Sequence, residues 1–207
     1  MIDYTIGIVG TVTLLWSTSG IIMKRFSSKY GNYLAVLASG IGEVIVLSMI
    51  VAFMGRLGIS LYSAELSVVA GILDMFGYLL FYKSLEKEQV SNTYATVEIQ
   101  VVILLLYGVL VLGEKLALNA VFGIALVMFG TLAVSMKSNM KFNLGLVPAI
   151  FANVFWAFGW IALIYPIAHT SNIILPNLIS FIVLALLAPL FMAMNGKRNQ
   201  RTVASRH

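Results

Sequence analysis

Residues 78–134 read YLLFYKSLEKEQVSNTYATVEIQVVILLLYGVLVLGEKLALNAVFGIALVMFGTLAV, in which long apolar runs alternate with short polar turns. The same alternation continues on both sides of this stretch. Over all 207 residues, 60% of the side chains are hydrophobic and 10% are charged, and the mean hydropathy is +0.98. Soluble domains carry about 25% charged residues, so this composition argues against a water-exposed fold, a nucleic-acid binder and a disordered chain. We therefore expect an all-α, polytopic membrane helix bundle.

Seven stretches are long and apolar enough to be transmembrane helices. A helix needs about 20 mostly apolar residues to cross a hydrocarbon core of roughly 30 Å. The predicted spans are Tyr4–Met23, Tyr33–Met54, Leu66–Tyr82, Asn92–Leu112, Leu118–Met136, Leu144–Tyr165 and Ile173–Ala193. The polar connections between them are too short to hold a soluble domain, so we expect the function to reside in or beside the bilayer.

The basic residues are distributed unevenly between the two faces of the predicted bundle. Eleven of the 13 Lys and Arg residues follow spans one, three, five and seven, whereas Arg56 and Lys115 lie on the opposite face. The positive-inside rule then predicts a multi-pass protein of the cell membrane with its N-terminus outside and its C-terminus in the cytoplasm. The net charge of +5 is thus a topology signal. Residues 194–207 are predicted to be a basic cytoplasmic tail that lies beside anionic lipid headgroups.

Several kinds of chemistry are not supported by the residues available. The chain has no cysteine, and its two histidines, His169 and His207, are too few and too far apart for a metal site. No phosphate-binding Gly-x-x-x-x-Gly-Lys-Ser/Thr run and no serine–histidine constellation is present. We therefore expect no metal, no cofactor and no enzymatic activity.

Motifs in residues 78–134 and in the first span follow a known pattern. The third span ends in an aromatic-rich segment, the fourth closes on Leu112-Gly113-Glu114, and the fifth carries Gly123 and Gly130. The first span contains Leu15-Trp16-Ser17 before a basic turn. This pattern resembles the EamA-type repeat of the drug/metabolite transporter superfamily, and it departs from that repeat at Gln100-Val101, where members usually have a proline. The resemblance implies a transporter, and it implies that Leu112, Gly113 and Glu114 are a structural motif.

The resemblance also implies an organisation in repeats. Residues 1–137 correspond to one complete five-helix repeat, and residues 143–193 correspond to the first two helices of a second repeat. Because five is odd, the second repeat would enter the bilayer from the opposite side, and inverted repeats place the substrate site near the midplane. Members of the ten-helix type have three more helices. The chain is therefore expected either to be truncated or to complete its fold by assembly with another copy, as a homodimer.

Three acids lie within predicted spans, and no lysine or arginine does. Glu43, Asp74 and Glu98 each cost about 2.5–3.5 kcal/mol at mid-bilayer on insertion scales, so they should face protein or water. With no buried cation to pair with, such an acid is expected to be protonated. For Glu43 and Asp74, two interpretations stay open: a proton-coupling group, or a neutral acid that donates one interhelical hydrogen bond. Glu98 is either the strongest polar group of a cavity lined by span four, or an acid close enough to a helix end to reach interfacial water.

Aromatic and amide side chains accompany these acids as candidate lining residues of a transport cavity. Pockets for organic molecules are mostly apolar, with a few polar groups, although tryptophan also collects at the membrane interface without a functional role. The further cavity candidates are Trp16, Tyr78, Tyr94, Gln100, Asn153, Trp156 and Trp160.

The function predicted from these observations is secondary transport, as a permease or exporter of small organic metabolites that is either proton-coupled or an exchanger. Sugars, amino acids, cations and other metabolites all remain candidate substrates. One alternative is a non-transporting remnant of a permease. Another is a seven-helix receptor, although span seven has no lysine for a retinal Schiff base.

Overall fold

The computed structural model describes residues 2–55, 57–96, 99–136 and 143–204. Within this part of the chain the fold consists of α-helices and one short 3₁₀ segment, Leu144–Leu146. The helices are α1 (Ile2–Tyr30), α2 (Asn32–Met54), α3 (Leu61–Lys87), α4 (Val90–Ala95), α5 (Ile99–Leu110), α6 (Leu118–Ser135), α7 (Val147–His169) and α8 (Leu175–Ala204).

The helices match the lengths that a bilayer requires. Among the described residues, five segments are long and apolar enough to cross a membrane: Asn32–Met54, Leu61–Lys87, Val90–Leu110, Leu144–His169 and Leu175–Met194. A shorter apolar helix covers Leu118–Thr131, and α1 is 29 residues long. The predicted polytopic, all-α membrane bundle is confirmed.

Helix ends differ from the predicted spans because hydropathy marks the lipid-facing part of a helix and capping marks its end. Helix α3 begins at Leu61 rather than Leu66, since the Ser60 hydroxyl accepts a hydrogen bond from the backbone N–H of Ser63 at 3.1 Å. Helix α8 continues past the predicted end of span seven, as far as Ala204.

Helix α3 forms the centre of the bundle and packs against α7 and α8, while α2 packs against α8. Small residues bring these helices close together, as is common between membrane helices. Gly71 of α3 faces the backbone of Ser180, and Gly40 of α2 faces Leu184. The core around them includes the fully buried Met75.

The two ends of the bundle can be told apart by their contacts. At one end, which we call the basic end, the Lys24 ammonium donates a hydrogen bond to the Glu88 carbonyl, and the Ser84 hydroxyl donates one to the Gly145 carbonyl at 3.0 Å. At the other end, which we call the opposite end, the rings of Tyr62 and Tyr165 stack edge to face at 5.1 Å. Helix α3 therefore runs from the opposite end to the basic end, and α7 runs the reverse way.

Candidate functional site

A cavity of about 390 Å³ lies between six of the helices. It begins near the middle of α2 and α3 and extends toward the opposite end. Its walls combine two carboxylates, two amides, five aromatic rings and three aliphatic side chains: Glu43, Asp74, Gln100, Asn177, Trp16, Tyr78, Trp156, Trp160, Phe181, Leu47, Leu163 and Ile174. No lysine, arginine or histidine is among these residues.

Asp74 is held at the junction of three helices. It stands at the midpoint of the 27-residue α3. Its Oδ2 accepts a hydrogen bond from the Ser180 hydroxyl of α8 at 2.8 Å. Its Oδ1 lies against α7, so close that a Cβ added to Gly159 would be 2.9 Å away. Gly159 therefore leaves the space that lets this carboxyl reach the cavity between α7 and α8.

Glu43 stands at the midpoint of α2, a helix of 23 residues, and is half-buried. With a rise of 1.5 Å per residue, it lies about 17 Å from either end of the helix, which is the depth of the bilayer midplane. Within the described residues, no hydrogen bond or ion pair is made by its carboxyl group. The nearby Ser39 and Gly40 hold α2 against its neighbours, with the Ser39 hydroxyl 2.5 Å from that of Tyr82.

Aromatic rings surround the two acids. Trp156 is 7% exposed, and its indole N–H is buried without a hydrogen-bond partner among the described residues. Its ring packs edge to face on Tyr78, with centroids 5.3 Å apart. Trp16 and Trp160 are more open, at 46% and 45% exposed. Both of these residues border the cavity, and protein atoms cover only about half of their surface.

Toward the basic end the cavity is closed by an aromatic layer, which consists of Tyr78, Phe81, Tyr82, Tyr94 and Trp156. The Phe81 ring is at its centre, 5.2 Å from the Tyr94 ring and 5.1 Å from the Trp156 ring. Phe81 and Tyr82 are each less than 5% exposed. Among the described residues, these closely packed rings therefore lie between the cavity and the basic end.

Beyond the aromatic layer, polar contacts connect α1 and the end of α3 to the segment that precedes α7. The Asn143 amide donates a hydrogen bond to the Glu88 carboxylate at 2.6 Å, and its own oxygen accepts one from the Gly145 N–H at 3.2 Å. Together with the Lys24 and Ser84 bonds to Glu88 and Gly145, these contacts form a second layer of closure at the basic end.

Two of the predicted cavity candidates, Tyr94 and Asn153, do not line the cavity, and a third, Glu98, lies outside the described residues. Tyr94 lies behind Trp16, with ring centroids 5.8 Å apart. Asn153 is fully buried, and its amide donates to the Ala149 carbonyl of its own helix at 2.6 Å. Glu98 lies outside the described residues. The other predicted candidates line the cavity: Trp16, Glu43, Asp74, Tyr78, Gln100, Trp156 and Trp160.

The motif Leu112-Gly113-Glu114 ends the fourth span and lies away from the cavity. Gly113 has a φ of 71°, in the left-handed region that glycine adopts after a helix. The Glu114 N–H then donates to the Gly108 carbonyl at 3.0 Å, and the Glu114 side chain folds back over Gly108. These contacts are those of a helix C-terminus.

None of the residues on the α8 side of the cavity was among the predicted candidates. Asn177 and Ser180 are spaced i, i+3 and so share a face of α8. They are the two polar residues in an otherwise apolar predicted span, Ile173–Ala193, and this pattern indicates that their face of α8 points toward the interior of the bundle. The aliphatic lining residues and Phe181 carry no such signal, because lipid-facing positions have the same composition. Among the described residues, no group of three or more His, Asp and Glu residues is placed to hold a metal ion.

Comparison with known proteins gives a family match over most of the chain. Residues 5–136 match the EamA-like transporter family. A curated protein of Clostridium kluyveri, described as an uncharacterized transporter, is 25% identical over 134 residues, which cover 63% of this chain and 43% of that protein. The chain thus spans less than half the length of this curated relative. No solved structure matches the chain.

Proposed function

Since the chain belongs to the EamA-like transporter family, we propose that it is a secondary transporter of small organic metabolites and that its substrate path runs through the central cavity. The observation that carries this proposal is the cavity itself. It holds two acids at the midpoints of their helices, it extends from there toward the opposite end of the bundle, and two layers of contacts lie between it and the basic end; we infer that it opens toward the opposite end. A site at mid-membrane that is accessible from one side is what alternating access requires.

The charge distribution predicts which side of the membrane the cavity faces. If the basic end faces the cytoplasm, as the positive-inside rule predicts, the cavity is open to the outside and the aromatic layer blocks the cytoplasmic exit. Transport would then require the Phe81 contacts with Tyr94 and Trp156 to open while the opposite end closes. The polar bonds of Glu88 to Asn143 and Lys24 would have to break in the same step.

Asp74 is the residue that we propose as the proton-coupling group. It is a carboxyl at the midpoint of its helix, it borders a cavity, and within the described residues it accepts a hydrogen bond from the uncharged Ser180. An acid in this position is stable when it is neutral or when a cation is bound beside it, and less stable when it is charged alone. Proton release would therefore be linked to the arrival of water or solute.

The test is solute-dependent proton movement in proteoliposomes that contain a trapped pH indicator. The purified protein is compared with Asp74→Asn and with Glu65→Gln, a matched control because Glu65 is an exposed acid on the same helix. The proposal predicts that a solute from a panel of neutral, cationic and anionic metabolites shifts the internal pH, that Asp74→Asn abolishes the shift but retains solute exchange, and that Glu65→Gln leaves both intact. Equal proton movement by the wild type and Asp74→Asn would contradict the role of Asp74.

Assembly as a homodimer stays a prediction. A mass measurement in detergent distinguishes the cases, because a dimer has twice the 22.6 kDa of one chain. A dimer with transport activity would support completion of the fold by a second copy. A monomer that moves no solute would favour the non-transporting remnant.

A further inference from the structure

The residues that line the cavity favour a positively charged ligand over a negatively charged one. Two carboxylates, Glu43 and Asp74, face a space whose lining contains no basic side chain. The remaining polar groups of the lining, Gln100, Asn177, the phenol of Tyr78 and the indole N–H groups, are neutral. An anionic ligand would have to approach both acids without any compensating charge.

The aromatic rings add to this bias. The face of an aromatic ring carries partial negative charge, so it attracts a cation, most strongly when the ring is that of tryptophan. Five rings line the cavity, and three of them are tryptophans. Trp16 and Trp160 are nearly half exposed as residues, and both border the cavity. Carboxylates together with uncovered ring faces are the combination that recognises ammonium groups.

The size of the cavity limits the ligand further. A volume of about 390 Å³ lies toward the lower end of the range for small-molecule pockets, which is roughly 300–1,000 Å³. It therefore suits a small ligand that consists of a charged head and one apolar group. The aliphatic residues Leu47, Leu163 and Ile174 offer an apolar wall toward the opposite end of the bundle.

We propose that this cavity binds an organic cation, namely a protonated or quaternary amine with one aromatic or aliphatic substituent. The carboxylates of Glu43 and Asp74 and the faces of the tryptophan rings hold the positively charged head. The substituent lies against the aliphatic wall. This inference names the substrate class of the proposed transport site and therefore rests on the proposed function.

The protein supplies its own reporter for the test. All three of its tryptophans line the cavity, so intrinsic fluorescence of the purified full chain in detergent reports occupancy directly. The probes are benzyltrimethylammonium, neutral benzyl alcohol and anionic phenylacetate, which share a benzyl group and differ in charge. We expect a saturable fluorescence change with benzyltrimethylammonium and an affinity at least about 10-fold lower for the other two, the order expected for one desolvated cation–ring contact.

Variants then assign the contacts. Glu43→Gln and Asp74→Asn should each weaken benzyltrimethylammonium binding by about 10-fold or more, since each removes one charge from the cavity. The control Glu65→Gln should bind as the wild type does. If an acid variant does not fold, Trp160→Phe keeps the proposal testable. It retains two reporters, and its weaker ring should lower the affinity for the cation but not for benzyl alcohol.

Two results would overturn the proposal: phenylacetate or benzyl alcohol binding as tightly as benzyltrimethylammonium, or unchanged cation affinity in the folded acid and Trp160 variants. The proposed transport function fails separately. Proton movement driven by a neutral or anionic metabolite would support the proposed transport function and contradict the proposal that the substrate is a cation. Cation binding without any flux of the cation in proteoliposomes would support the cation-binding site and contradict the proposed transport function.

Discussion

Replacement of Gly71 by alanine is the sharpest test of the packing that positions Asp74. Gly71 lies on α3 against α8. A Cβ added there would be 2.8 Å from the Cβ of Val183 and closer still to the Ser180 carbonyl oxygen. An ordinary contact begins at 3.4 Å. The two helices would therefore have to separate by at least about 0.6 Å, the amount that the Val183 contact requires and less than the closer Ser180 contact requires. The backbone at Ser180 has no rotamer by which it can move aside.

The expected magnitude follows from a comparison with a second glycine. Overpacking of a close helix contact costs about 1–3 kcal/mol, while a change from glycine to alanine favours a helix by about 1 kcal/mol. Gly42 is a helical glycine of α2 with no atom within 4 Å of an added Cβ. The helix-propensity gain is common to Gly71→Ala and Gly42→Ala and cancels between them. The difference in free energy of unfolding should then be about 1–3 kcal/mol, with Gly71→Ala the less stable.

The measurement is equilibrium unfolding in mixed detergent micelles with increasing dodecyl sulfate, followed by circular dichroism. Both variants and the wild type are measured in the same micelles. Separation of α3 and α8 also moves the Ser180 hydroxyl away from Asp74, so Gly71→Ala should alter the tryptophan fluorescence of the cavity while Gly42→Ala should not. Equal stability of the two variants would show that α3 and α8 are not packed as described.

Three further predictions concern the ends of the helices. Gly113→Ala should destabilise the protein by about 1–2 kcal/mol because its φ of 71° is unfavourable for alanine, and Gly113→Asn should recover part of the loss in the same unfolding assay. Because the chain has no cysteine, single variants report topology: an impermeant maleimide should label Ser171→Cys in intact cells and Ser28→Cys after permeabilisation, and the reverse pattern would refute the orientation. Asn143→Ala should cost about 1.5–3 kcal/mol through loss of its bond to the Glu88 carboxylate; an unchanged unfolding midpoint would contradict this.

Much of the cavity could be predicted from sequence because its polar residues stand out in apolar spans. Glu43 and Asp74 are costly in lipid, so their presence alone points inward, and the structure places both beside the cavity. Tyr78 follows Asp74 by one helical turn and shares its face. Because such side chains cost free energy when they face lipid, their presence in a span predicts that they face the protein interior.

The residues that sequence reasoning missed or misplaced depend on packing between helices. Phe181 and Ile174 have the same composition as lipid-facing positions, and only the approach of α8 to α3 and α7 brings them to the cavity. Asn153 shares a helical face with Trp156, yet its amide turns back to the Ala149 carbonyl. A local bond of this kind competes with any longer-range partner, and periodicity contains no information about which bond is made.

The energetics of Asp74 argue that its acidity has a use beyond packing. A carboxylate at mid-bilayer costs about 2.5–3.5 kcal/mol, whereas one interhelical hydrogen bond in a membrane returns about 0.6 kcal/mol on average. The bond from Ser180 therefore does not compensate for the acid. An asparagine would accept the same hydrogen bond from Ser180 without any charge to desolvate, and the space left by Gly159 would hold it equally well. What an acid provides at this position, and an amide does not, is exchange of a proton or attraction of a cation. Both require access to water or solute, and the cavity beside Asp74 provides that access.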